Sequence, residues 1–286
     1  MLRYLIVILA LCSQVKAHAE SWFEDSSPLI NAHQMLLENR ISDSFASMVQ
    51  VWQSRHDPYM ESHLNDLLLK ALERDCGKSL SNESLPQWLN EVTIRRQSVQ
   101  SPGRISQRLV IDILADKKLN RVNFVKWPEV AISRDTESSW IKEDNKTIQR
   151  NVFILNQRLP KGLYQLTLKT EDSQEWRSWV LMGEAQAKEI VRWETHDSWE
   201  VDKFGLLNPY CELPVMDVSL YDYVDDQYKR IWHRDYESRY PEKLPRASYK
   251  PDRYVLAVSI THKRWQGQIM IEEQQAISKT YDISEE

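Results

Sequence analysis

Between residues 28 and 74 apolar side chains recur three and four positions apart. Phe45, Met48, Val49 and Trp52 fall at i, i+3, i+4 and i+7, which is one face of a helix. A further helix opens at Asp57-Pro58, a capping residue followed by a proline whose missing N–H costs nothing in the first turn. Its apolar side reads Met60, Leu64, Leu67, Leu68, Ala71, Leu72, and an earlier helix runs from about Pro28 to Asn39. Three short helices with tight connections predict a small antiparallel bundle. The first pair is like a single tetratricopeptide hairpin, with Leu36 and Leu37, Asn39 near the turn, then Phe45 and Trp52. A lone hairpin cannot form a stacked array, so a bundle packed on its neighbouring domain is the alternative.

From Val92 the period changes to two. Val92–Gln97 and Arg108–Ile113 flank the turn signal Ser101-Pro102-Gly103. Further strand patterns follow at Arg121–Trp127, Asn151–Leu155, Leu163–Lys169 and Trp176–Met182. They resume at Ile190–Trp193, Trp199–Val201, Val215–Val224, Tyr228–Tyr236, Arg253–Ile260 and Trp265–Ile271. The polar stretch Ser133–Lys146 reads as a loop and Glu184–Ala187 as a linker. Tyr164, Leu166 and Leu168 after Pro160 are echoed by Tyr254, Leu256 and Val258 after Pro251. In each case a tryptophan strand follows, beginning at Trp176 or Trp265, as in the last hairpin of an immunoglobulin- or fibronectin-like domain. Many short strands without intervening helices indicate antiparallel sandwiches. The expected fold is therefore α+β and multidomain: a helical bundle over 20–90, then two tandem immunoglobulin/fibronectin-like β-sandwiches over 91–186 and 187–286.

Residues 1–19 have a different character. Arg3, an apolar run from Tyr4 to Cys12 and the close on Ala17-His18-Ala19 form the three-part pattern of a secretory signal peptide, cut after Ala19. The run is too short to span a bilayer, which takes about 20 residues, and no later stretch reaches that length. Export leaves Cys76 and Cys211 as a lone pair in an oxidising compartment, where two thiols usually end as a structural disulfide; two buried free thiols are the alternative. The chain carries a formal net charge of −5, an acidic balance that argues against nucleic acid or anionic lipid as partner.

Six glycines in 286 residues leave no phosphate-cradling loop. Neither a Gly-x-Ser-x-Gly elbow nor a His-Glu-x-x-His pair is present, so no catalytic residue and no cofactor are expected. His56, His63 and Asp66 share a helical side but show no supporting shell, and are read as surface residues, with no metal site. Asp222, Asp225 and Asp226 sit where a hairpin should turn, which suits Asp in its own right. With 11 tryptophans and 12 tyrosines, the aromatic content remains to be explained. Strict alternation along Tyr228–Tyr236 puts Tyr228, Arg230, Trp232, Arg234 and Tyr236 on one face. Such a stripe suits sugar stacking or a protein interface, or else aromatic packing under arginine stems.

Several segments carry a family resemblance. They are Leu64-Asn65-Asp66-Leu67-Leu68-Leu69, Asp75-Cys76-Gly77-Lys78, Val92–Gln97 running into Ser101-Pro102-Gly103-Arg104, Leu207-Asn208-Pro209-Tyr210-Cys211, Pro251-Asp252-Arg253-Tyr254, Arg264-Trp265-Gln266-Gly267 and Ile277–Asp282. Across essentially the whole mature chain they resemble a family of exported proteins of Gram-negative marine bacteria labelled as a domain of unknown function. The resemblance implies a periplasmic home and assigns no activity or site. The expected function is a non-enzymatic periplasmic adaptor or binding protein with an envelope protein partner. The alternative is a carbohydrate or cell-wall binding protein that engages glycan or peptidoglycan, with room for an unrecognised hydrolase site.

Overall fold

The computed structural model describes residues 27–54, 58–143, 146–184, 188–245 and 250–283. The predicted signal segment, Asp57, His56 and positions 185–187 of the expected linker lie outside them. Helix α1 (Pro28–Leu37) starts where the Ser27 hydroxyl accepts from the Ile30 N–H at 3.3 Å, and the chain leaves it through Asn39, whose φ of 61° turns it sharply. Helix α2 (Ile41–Gln53) buries Phe45, Met48, Val49 and Trp52 as their spacing requires, and α3 (Pro58–Asp75) buries Leu64, Leu67, Leu68 and Ala71. These faces do not close on one another alone. Leu163 and Leu181, from the strand hairpin described next, complete the same apolar cluster, and Asn65 accepts the Glu184 N–H at 2.8 Å.

Fourteen strands follow among the described residues: β1 (Leu89–Ser101), β2 (Arg104–Ala115), β3 (Leu119–Lys126), β4 (Val130–Ala131), β5 (Thr136–Glu143), β6 (Lys146–Leu155), β7 (Gly162–Thr170), β8 (Glu175–Met182), β9 (Glu189–Trp193), β10 (Trp199–Lys203), β11 (Val215–Val224), β12 (Gln227–Tyr236), β13 (Asp252–Gln266) and β14 (Ile269–Ile283). Eight of them form one sheet in the order β12-β11-β13-β14-β1-β2-β6-β5. A four-stranded sheet, β4-β3-β7-β8, and the β9–β10 pair pack against it. The described residues are thus mostly β, with three short helices and sandwich-like packing.

Two cores share that one large sheet. In the first, Tyr164, Leu166, Leu168 and Val180 face Val92, Ile94, Leu109 and Ile111. In the second, Val191 and Trp199 cover Val218, Leu220, Leu256 and Val258. The C-terminal strand contributes to both cores, with Ile277 in the second. Strand β14 pairs in parallel with β1 from Val92↔Ile269 to Gln100↔Ile277, and Ile269 and Ile271 belong to the first core. The two β regions are joined by a continuous ladder of backbone hydrogen bonds.

Two expectations are corrected. The stretch expected as a loop holds a strand: β5 pairs with β6 from Thr136↔Phe153 to Glu143↔Lys146 as the outermost strand. An edge strand wet on both sides has no reason to alternate, so it left no period-two signal. Secondly, Trp265 does not begin a returning strand. It is the penultimate residue of β13, and the turn falls at Gly267 (φ 59°). The tyrosine half of the echo does have a structural counterpart: Tyr164 donates to the Pro160 carbonyl at 2.7 Å and Tyr254 to that of Lys250 at 2.9 Å. Each reaches four residues upstream, as tyrosine corners of sandwich domains do.

Candidate functional site: a cleft where helices and both cores meet

The end of α3 is built to hold the chain in place. Asp75 accepts the Gly77 N–H at 2.9 Å and the Ser79 N–H at 2.8 Å, and Cys76 and Gly77 take left-handed φ of 61° and 87°. A side chain at Gly77 would run into the Trp265 carbonyl at 2.0 Å, so only glycine permits this approach. The Cys76 carbonyl then accepts the Trp265 N–H at 2.8 Å, anchoring the helix end to β13. Cys76 forms a disulfide with Cys211, with their Cα atoms 5.0 Å apart. Asn208 donates to the Leu72 carbonyl at 2.8 Å, so the segment around 206–214 is stapled beside α3 by a covalent and a polar link.

Between that segment and α3 lies a cleft of about 490 Å³. Leu68, Leu69 and Leu72 form one wall, and Leu206, Leu207 and Pro209 line the other. Its floor is the middle of the large sheet, where the apolar alternation gives way to Arg96 of β1, Glu273 of β14 and His262–Arg264 of β13. The volume and mixed lining are those of a small-molecule pocket, which commonly forms where structural units meet.

The floor carries an imbalance of charge. Arg96, only 7% exposed, donates through Nε to Glu273 at 2.6 Å and also through Nη2, while its Nη1 reaches the Gly183 carbonyl at 2.9 Å. Arg264 donates through Nη2 to the Leu181 carbonyl at 2.8 Å, but its Nη1 is sealed from solvent and has no acceptor. Burial pushes the Arg264 guanidinium down to about 10; Glu273 opposes that fall and Arg96 adds to it. Glu273 thus bonds one guanidinium and offsets the other only through space, in a poorly solvated place. Three other carboxylates line the cleft: Glu212 pairs with Lys263 at 3.4 Å, Glu73 pairs with Lys70 at 2.9 Å, and Glu184 lies just past the end of β8.

The aromatic stripe on β12 is not continuous. Leu220 pairs with Trp232 but Tyr221 pairs with Arg230, so Ile231 is an extra residue that reverses the alternation. Trp232 and Tyr236 turn inward and pack on the second core, with the Arg234 guanidinium 5.4 Å from the Tyr236 ring. Tyr228 and Arg230 lie on the opposite face, where Tyr228 (65% exposed) and Tyr223 (56% exposed) sit with ring centroids 4.9 Å apart. Strict alternation from Tyr228 to Tyr236 is thereby corrected. Trp232→Ala should cost about 2 kcal/mol of stability in a urea titration, the expectation for a half-buried ring; a loss below about 0.5 kcal/mol would place that ring outside the core.

On that outer face Asp217, His233 and Asp235 bring their ligand atoms within 4.8 Å of one another, the one such group among the described residues. Burial raises the Asp217 carboxyl above its ordinary range, Ser219 opposes the rise, Asp235 adds to it, and Arg230 opposes it. Sequence reasoning missed this group because Asp217 lies 16 and 18 positions before His233 and Asp235, on a different strand. Asp225 and Asp226 take the turn as expected, both left-handed with φ of 52° and 61°.

His63 meets a partner that its own helix did not suggest. Its Nε2 lies 2.7 Å from Nε2 of His33 on α1. Burial lowers His33 below 6.5, and His63 lowers it further. A base depressed on folding takes up its proton more readily in the unfolded chain. Its contribution to stability is complete above pH 6.5 and is lost as pH falls below that value. The melting temperature should therefore drop between about pH 7.5 and about pH 5.5, and His33→Gln should flatten the profile. An unchanged slope in that variant would assign the drop elsewhere.

Among solved structures, the tandem Ig repeats of Dlar align with 67% of this chain and 99% of their own length, at 7% identity and a TM-score of 0.27. A likeness at that level does not bear on the fold or the site. No curated protein matches the chain. A family model does match, over residues 22–282, and it includes both cysteines and every wall of the cleft. The chain belongs to the family described as protein of unknown function DUF2861.

Proposed function

We propose that the chain is a non-enzymatic binding protein of the cell envelope, exported to the periplasm of a Gram-negative bacterium and working through its central cleft. The leader pattern ending at Ala19 supports export, and a disulfide suits an oxidising compartment. Among the described residues no helix is long and apolar enough to cross a membrane. The observation that carries the reading is the cleft itself: it has an apolar body and a charged floor, and its outer wall is held by Cys76–Cys211.

The test is photocrosslinking in intact cells, with a photoreactive residue at Leu207 in the cleft or at Tyr228 on the outer hairpin face. Adducts from position 207, released by osmotic shock with a chain cut after Ala19, are expected. Retention of the uncut chain in the cytoplasm would defeat the envelope assignment.

A second reading rests on the exposed Tyr223–Tyr228 pair, which offers faces for sugar stacking. It predicts saturable calorimetric binding of peptidoglycan fragments, abolished by Tyr228→Ala. Adducts from position 228 alone would favour it over the cleft.

A further inference from the structure

We propose that the cleft takes a small amphiphile, an apolar body bearing one anionic oxygen group, and that Arg264 receives the anion. This rests on the cleft being the binding site and goes on to name what fits it. The apolar walls end on a floor where Arg96 and Arg264 face one carboxylate, Glu273. Glu273 is committed to Arg96, and among the described residues Arg264 has no carboxylate at ion-pair distance. Its Nη1 is a donor with nothing to donate to, held where water does not satisfy it.

An incoming carboxylate, sulfonate or phosphate monoester would draw that nitrogen out of the wall. It would supply the missing acceptor and give Arg264 a counter-ion at ion-pair distance in the same step. A neutral ligand of the same shape would leave both defects in place, which is how a site built around a charged donor discriminates. The body of the ligand has its own complement. Leu206 is 93% exposed at the rim, an apolar side chain that a bound hydrocarbon or ring would cover.

The test uses the full disulfide-bonded chain and two fluorescent probes that share an anilinonaphthalene body. One is 1-anilinonaphthalene-8-sulfonate and the other is N-phenyl-1-naphthylamine, which lacks the sulfonate. The anionic probe should bind about tenfold or more tightly than the neutral one. Arg264→Gln should weaken the anionic probe by about ten- to hundredfold and leave the neutral one unchanged. Leu207→Trp, which fills the cleft, should weaken both.

Equal affinity of the two probes, with both lost in Leu207→Trp, would overturn the anion assignment while leaving the cleft as the site. Indifference of both probes to Leu207→Trp would overturn the cleft and the proposal together. Should Arg264→Gln lose its near-ultraviolet circular dichroism, competition on the unaltered protein decides. Decanoate should displace the anionic probe where decanol does not, and equal displacement would refute the proposal. Decyl phosphate against decanoate then separates the two head chemistries.

Discussion

Glu273→Ala is expected to destabilise the fold by about 3–5 kcal/mol, read as a shift of the urea midpoint. Among the described residues the carboxylate is the one acidic group that holds Arg96, and it also offsets the fall in Arg264. Removing it leaves Arg96 without its carboxylate and Arg264 without its through-space offset, beneath α3 and the 206–214 segment. Most of the cost is that uncompensated charge, not the lost bond. Arg96→Met combined with Glu273→Leu should therefore recover much of the loss, since a buried pair exchanged for apolar side chains is often near neutral. Additive losses in the double variant would show that the two residues act independently and that stranded charge is not the source of the cost.

Reduction of Cys76–Cys211 is the second large effect. The bridge spans 135 residues, for which chain entropy alone gives about 5 kcal/mol and practice about 2–5. Melting with and without a phosphine reductant should differ accordingly, and denatured but unreduced processed protein should label no thiol. Two labelled thiols would refute the bridge. Cys211→Ser carries a further consequence, because Asn208 alone would then tether the segment to α3. The cleft should loosen more than the cores, and early proteolysis near Leu206 would report it.

What the sequence disclosed and what it hid separate along physical lines. Phe45, Met48, Val49 and Trp52 could be placed because a helix writes its buried face into positions a few residues apart. The strands of both cores were legible by the same logic with period two. The signal failed wherever side chains served something other than one buried face. Trp140 on β5 is exposed, as are its neighbours Ser138 and Ser139, so nothing set an alternation. His262, Lys263 and Arg264 interrupt the apolar pattern of β13 because they line the cleft, and the interruption mimicked a turn. Ile231 reversed the stripe by a single residue. The cleft draws on positions from 68 to 273, joined only by tertiary packing, and such a site leaves no local motif.

The parallel pairing of β1 with β14 also governs the order in which this molecule can be completed. Their facing residues are separated by 177 positions, a stretch that takes a ribosome on the order of ten to thirty seconds to make. Throughout that interval the unpaired edge of β1 is a template for foreign strands, and Val92 and Ile94 lack two of their apolar neighbours, Ile269 and Ile271. A nascent chain of this kind needs holding apart until its end arrives. By the same reasoning, a premature stop before residue 269 removes more than a C-terminal module. It withdraws a central strand from the sheet and two side chains from the first core, so truncation should abolish the whole protein rather than shorten it.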